Sequence, residues 1–228
     1  GTINHLYGVH GAISFTNELY GDEMDFDGDG RTSDEEKMRF NDRLALGRMF
    51  VEWEEVDHPQ YGTIEVGGYK KDTGRSPEGW MLEEECHRNA AFVLFHAEQM
   101  PMLTFDGVRV EDAGGGLWKI YATIRNERAI PSVTAWARRN NLHRLDHATI
   151  EGARVVSSGI VQDRWMNRIS LQEHRPEVLS VGGVPGNGSR ELFFLVEGGA
   201  GDEIRIDYDS VKAGRVETSV ELREGNGD

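Results

Sequence analysis

Three aspartates at alternate positions open the segment D-F-D-G-D-G-R-T-S-D-E-E, residues 25–36. Calcium takes six or more hard oxygens around a tight turn, and Asp25, Asp27, Asp29, the Arg31 carbonyl and Glu36 fall at loop positions 1, 3, 5, 7 and 12 of such a site. Gly30 stands at position six, where the chain turns sharply, and Ser33 at position nine can contribute directly or through water. Thr32 holds position eight, usually aliphatic in EF-hands, and the preceding residues read as strand and loop instead of an entering helix. The spacing predicts a lone EF-hand-like loop with a structural role, against the alternative of a solvated acidic turn before a helix.

A second candidate lies in A-I-S-F-T-N-E-L-Y-G, residues 12–21. At period two, Ser14, Thr16 and Glu18 share one side of a strand, with Ile13, Phe15 and Asn17 on the other. A carboxylate at a strand end beside Gly and Tyr has the chemistry of a general base. It also has that of an ordinary rim carboxylate, and spacing alone favours the rim.

The elements that position these residues follow from the hydrophobic period. Phe40, Leu44, Phe50 and Val51 predict a helix within Ser33–Trp53, and Trp80, Leu82, Ala90, Ala91, Leu94 and Ala97 a second from about Pro77 to Met100, stopped by Pro101. Residues 57–69 read as loop, short strand and turn. Beyond Thr104 the period becomes two: Trp118, Ile120, Ala122 and Ile124 alternate with Lys119, Tyr121, Thr123 and Arg125, and E-I-R-I-D-Y-D and R-V-E-T-S-V-E-L repeat the alternation. Further strands are predicted at Ser132–Ala137, Arg154–Val161 and Arg190–Glu197. Six or more short strands with no helix between them argue for a β-sandwich.

Charge narrows the partners. The net charge of −15 divides into −12 over residues 1–104 and −3 over residues 105–228, so the acidity belongs to the first part. Nucleic acid and anionic membrane both require a cationic surface and are excluded as favoured partners, whereas divalent cations suit it. With 228 residues, 38% of them hydrophobic, there is material for one large domain or two ordinary ones, and no run of about eighteen apolar residues can span a membrane. No basic and apolar leader opens the sequence. The single cysteine, Cys86, has no intrachain partner and reads as an inert core thiol. His143 and His147 read as surface or packing residues.

The run I-N-H-L-Y-G-V-H-G-A-I-S-F-T-N-E-L, residues 3–19, resembles the stretch that closes the active site of zinc metallocarboxypeptidases of the carboxypeptidase A type. There an Asp-Trp-x-Tyr segment leads into S-F-T-x-E-L; Asn4 and His5 stand here in place of the Asp-Trp. Residues 58–69 and 82–101 are similar to the last loop and last helix of bacterial members, and residues 121–134 and 207–222 to a C-terminal extension that some of them carry. The resemblance implies an α/β fold class: the C-terminal part of a mixed α/β catalytic domain over residues 1–104, followed by an all-β sandwich domain over 105–228. It also implies a hydrolase acting on peptides, in which Glu18 serves as general acid/base toward a zinc-bound water. Thr16 would line the pocket for the terminal side chain and Ile3 would form its floor, hinting at apolar or aromatic C-terminal residues. The family's zinc ligands lie upstream of that glutamate, so the implied partners are a peptide substrate and the missing N-terminal part of the catalytic domain. A calcium site and an acidic surface fit a secreted or periplasmic, bacterial-like setting. The competing expectation is a noncatalytic, calcium-stabilised binding module whose sandwich recognises a partner or wall polymer.

Overall fold

The computed structural model describes residues 1–17, 24–73 and 76–223. In chain order it forms α1 (Thr2–His10), α2 (Asp34–Arg43), β1 (Phe50–His58), β2 (Gly62–Tyr69) and α3 (Leu82–Glu98). Then follow β3 (Leu103–Gly114), β4 (Leu117–Asn126), α4 (Ala135–Asn140), β5 (His147–Glu151), β6 (Arg154–Asp163), β7 (Arg168–Leu171), β8 (Val178–Ser180), β9 (Gly188–Glu197), β10 (Glu203–Ser210) and β11 (Gly214–Glu221). Two units result, one of residues 16–95 and one joining residues 1–15 to 96–228.

The larger unit is built by alternation. In β4 the inward residues Ile120, Ala122 and Ile124 are wholly buried, while Lys119, Tyr121 and Thr123 take the opposite face. β4 lies in a five-stranded antiparallel sheet of order β3-β4-β9-β6-β7, pairing Ile120 with Phe194 and Ala122 with Leu192. A four-stranded sheet of order β11-β10-β5-β8 supplies Ile204, Ile206, Tyr208, Ala148, Ile150 and Leu179 to the same apolar cluster. Two sheets sharing one core make a β-sandwich, in which each fully buried aliphatic or aromatic side chain contributes about 1.5–3 kcal/mol.

One polar group crosses that core. Asp146, wholly buried, accepts hydrogen bonds at Oδ2 from the Ser132 hydroxyl and from the Tyr208 hydroxyl at 3.1 Å. Ser132 in turn accepts the Val184 amide at 2.8 Å. The loop before α4, the β5 entry and β10 are thereby tied at one point, because each buried hydroxyl needs its partner.

α1 rests on α4 within the same unit. Tyr7 stacks on Trp136 with ring centroids 5.8 Å apart, the Trp136 indole N–H donates to the Gly8 carbonyl, and the Thr134 hydroxyl donates to the Gly11 carbonyl at 3.0 Å. Gly11 ends the helix with φ 61°, and a Cβ there would stand 2.6 Å from that of Ala137. Only glycine meets both demands.

The smaller unit has a four-residue buried cluster, Met24, Phe40, Ala45 and Met49, with Met81 packed against it. Its only sheet among the described residues is the β1–β2 hairpin, none of whose residues is buried. The expected α/β class is overturned. Among the described residues every strand pairing is antiparallel, eleven strands form three sheets, and helix makes a minor share, so the chain is predominantly an all-β fold.

Several local expectations change with it. The helix predicted over Ser33–Trp53 stops at Arg43, because Leu46 takes φ 53° and the chain re-enters as β1. Apolar residues on both sides of that break had mimicked one helical face. Residues 132–137 are not a strand: Thr134 caps α4, its hydroxyl accepting the Ala137 amide at 3.2 Å. Residues 11–17 form no strand, so the proposed alternation of Ser14 and Thr16 is not realised. Cys86 is exposed on α3 and is not a core thiol. Among the described residues no helix is long and apolar enough to cross a membrane.

Candidate metal centre

The start of α2 and the loop before it form one hydrogen-bonded unit. Ser33 is the N-cap, in extended backbone, and its hydroxyl accepts the Glu36 amide at 3.2 Å. Glu36 returns the favour: its Oε2 accepts the Ser33 amide and the Ser33 hydroxyl, each at 2.9 Å, completing a capping box. Its Oε1 reaches back across the loop to the Phe26 amide at 2.8 Å and the Asp27 amide at 3.4 Å. The residue is buried, and these donors, the Ser33 amide first, then the Ser33 hydroxyl and the Phe26 amide, hold its carboxyl at about 2. Position twelve is therefore an anion folded onto the opening of the loop.

The aspartates are aimed by backbone amides. Asp25 accepts from Gly28 at 2.8 Å and from Gly30 at 2.9 Å, Asp27 from Asp29 at 3.2 Å, and Asp29 from Arg31 at 2.8 Å. Gly30 has φ 82°, the left-handed conformation that position six demands and that glycine adopts without strain. Carboxylate oxygens of Asp25, Asp27 and Asp29 converge within 4.8 Å of one another. Two unit charges 4 Å apart repel by about 1 kcal/mol even in water, so the convergence opposes itself until a cation joins it. Hard oxygens in this number and charge suit calcium. The loop is anchored by Met24 on one side and Phe40 on the other, both buried, and Asn41 braces the segment by accepting the Met49 amide at 2.9 Å.

Glu18 lies outside the described residues. Thr16 is exposed in irregular chain of the smaller unit, whereas Ile3 is half-buried in α1 of the larger one. Phe15 sets its ring edge-on to His96 with centroids 4.7 Å apart, and Asn17 donates to Asn89 at 2.8 Å.

Zinc chemistry finds no set of ligands among the described residues. Among the described residues the aspartate triad is the one group of three or more His, Cys, Asp or Glu donors. His174 and Glu177 carry H-x-x-E spacing, contrary to the expectation that the sequence holds no such pair, but they follow Glu18 and sit in an exposed turn where Glu177 pairs with Arg175 at 3.5 Å. The described residues do not fit a zinc site. The partnership of Ser33 and Glu36 was also missed as a cap, although S-x-x-E before a helix is its ordinary sequence sign.

No curated protein matches the chain. A family model described as a domain of unknown function, DUF8731, matches residues 102–221, from the start of β3 to the end of β11. That match takes in more than half of the chain and the whole of both sandwich sheets, and the chain belongs to the DUF8731 family.

Proposed function

We propose that this chain binds calcium through Asp25, Asp27, Asp29, the Arg31 carbonyl and Glu36, and that it is the C-terminal part of a zinc-dependent carboxypeptidase acting on peptides. The convergent carboxylates support the calcium site. The observation that carries the enzymatic reading is the run S-F-T-N-E-L at residues 14–19, standing shortly before that loop. In this reading Glu18 takes a proton from the attacking water and returns it to the leaving amine, a role that suits a carboxylate beside a metal. Thr16 and Ile3 contribute to the pocket for the terminal side chain. Zinc is held by residues outside this chain. The calcium site and the acidic surface favour an extracytoplasmic protein.

The test is zinc content and release of C-terminal amino acids, measured together on the protein carrying its natural upstream residues. One zinc per chain with chelator-sensitive release is the expected result. Neither zinc nor release would overturn the enzymatic reading and leave a calcium-stabilised, noncatalytic module. That second reading is favoured by one observation, the irregular backbone at Ser14–Asn17 where the catalytic reading calls for a strand.

A further inference from the structure

We propose that the tip of the β6–β7 hairpin is a self-association site, and that its occupant is the acidic face of the β1–β2 hairpin in a second copy of this chain. Trp165 at that tip is 97% exposed, the highest value among the large apolar side chains, and its neighbour Met166 is 69% exposed. The tip is ordered by its own turn: Asp163 accepts the Met166 amide at 2.9 Å, the Arg164 carbonyl accepts the Asn167 amide at 3.3 Å, and Asn167 takes φ 48°. The turn fixes the backbone that carries the indole, so docking need not order the loop.

Arg164 and Arg168 flank it, both exposed, Arg168 opposite Asp163 in the register, and among the described residues neither forms an ion pair within 4 Å. Trp, Met and Arg are the residues most enriched where interfaces bind.

The β1–β2 hairpin has the complementary anomaly. Glu55 and Glu65 stand directly opposite in the register, a like-charge arrangement that destabilises a strand pair. Asp57 continues the same face opposite Thr63, and residues 50–69 contain no Lys or Arg. Among the described residues no cation pairs with Glu55 or Glu65. Trp53, 60% exposed, lies over Gly67 one step along this face. One surface thus offers an indole beside two carboxylates set opposite each other, and the other an indole between two exposed guanidinium groups.

Guanidinium forks matched to carboxylates supply direction, and the two indoles supply the apolar contact. Because the two surfaces differ, the contact is head-to-tail and builds open chains or rings. A patch this small gives a weak, salt-dependent association.

The experiment is sedimentation equilibrium of the full chain across a concentration series, at about 0.01 M and about 1 M salt, between which the screening length falls from about 30 to about 3 Å. Association at low salt that is lost at high salt is expected. Trp165→Ala should weaken it about tenfold or more, as should Arg164→Glu with Arg168→Glu, and Glu55→Arg with Glu65→Arg. Combining both charge reversals in one chain should restore it. All these positions are exposed, so circular dichroism should be unchanged. A chain that stays monomeric at low salt overturns the proposal, and so does association indifferent to the charge reversals.

Discussion

On the proposed carboxypeptidase reading, Glu18→Gln is expected to lower the release of C-terminal amino acids about 10²–10⁴-fold in the protein carrying its upstream residues, with zinc content unchanged. The amide keeps the shape of the carboxylate but cannot take a proton from water or hand one to the leaving amine, so both halves of the reaction suffer. A metal ligand would behave otherwise, since its loss would remove zinc together with activity. The paired measurement of zinc by elemental analysis and of release by amine detection separates these roles. Undiminished release from the variant would remove Glu18 from the reaction.

Asp146→Ala is expected to destabilise the sandwich by about 3 kcal/mol. The carboxylate is the acceptor for two buried hydroxyls, those of Ser132 and Tyr208, and each donor left unsatisfied costs about 1–3 kcal/mol. Burial pushes the Tyr208 hydroxyl far above its ordinary range, with Asp146 adding to the shift, so the phenol remains a proton donor that needs an acceptor. Tyr208 is also wholly buried in the apolar cluster. In urea, the midpoint should fall with the slope unchanged. A loss under about 1 kcal/mol would mean that the two hydroxyls find other acceptors.

The sandwich was largely legible because its strands have one wet and one dry face. Trp118 to Ile124 and Glu203 to Asp209 carry period-two patterns, while Arg190 to Glu197 holds the short apolar run L-F-F-L-V of a strand buried along its length. β8, three residues long, and β7, four, are too short for such a pattern to register. The boundary between α2 and β1 was illegible for a different reason: Phe40, Leu44 and Phe50 keep helical spacing across a break made by backbone conformation at Leu46. α4 was hidden because Val133, Ala135 and Ala137 alternate like a strand, while the Thr134 cap decides the matter locally.

The metal loop was legible in its ligands, which depend on fixed offsets from Asp25. The placement of Glu36 by Ser33, Phe26 and Asp27 arises from the folded turn, where donors ten residues from their acceptor meet. The fold class was misjudged because the resemblance of residues 3–19 and 82–101 to a catalytic domain carried an expectation about a whole architecture. The described residues of that part fold into helices and one hairpin, with no mixed sheet among them.

The most direct test of the calcium claim is isothermal titration of the chain with calcium, after treatment with a chelator, alongside Asp27→Ala and Glu36→Gln. One calcium per chain is expected, with binding lost or weakened at least about tenfold in each variant, since each removes a charged oxygen donor from the set. Added calcium should also raise the unfolding midpoint of the unaltered chain, because an ion that binds only the folded loop stabilises it by mass action. Titration without a binding isotherm, or binding that both variants retain in full, would contradict the assignment of residues 25–36 as the metal centre.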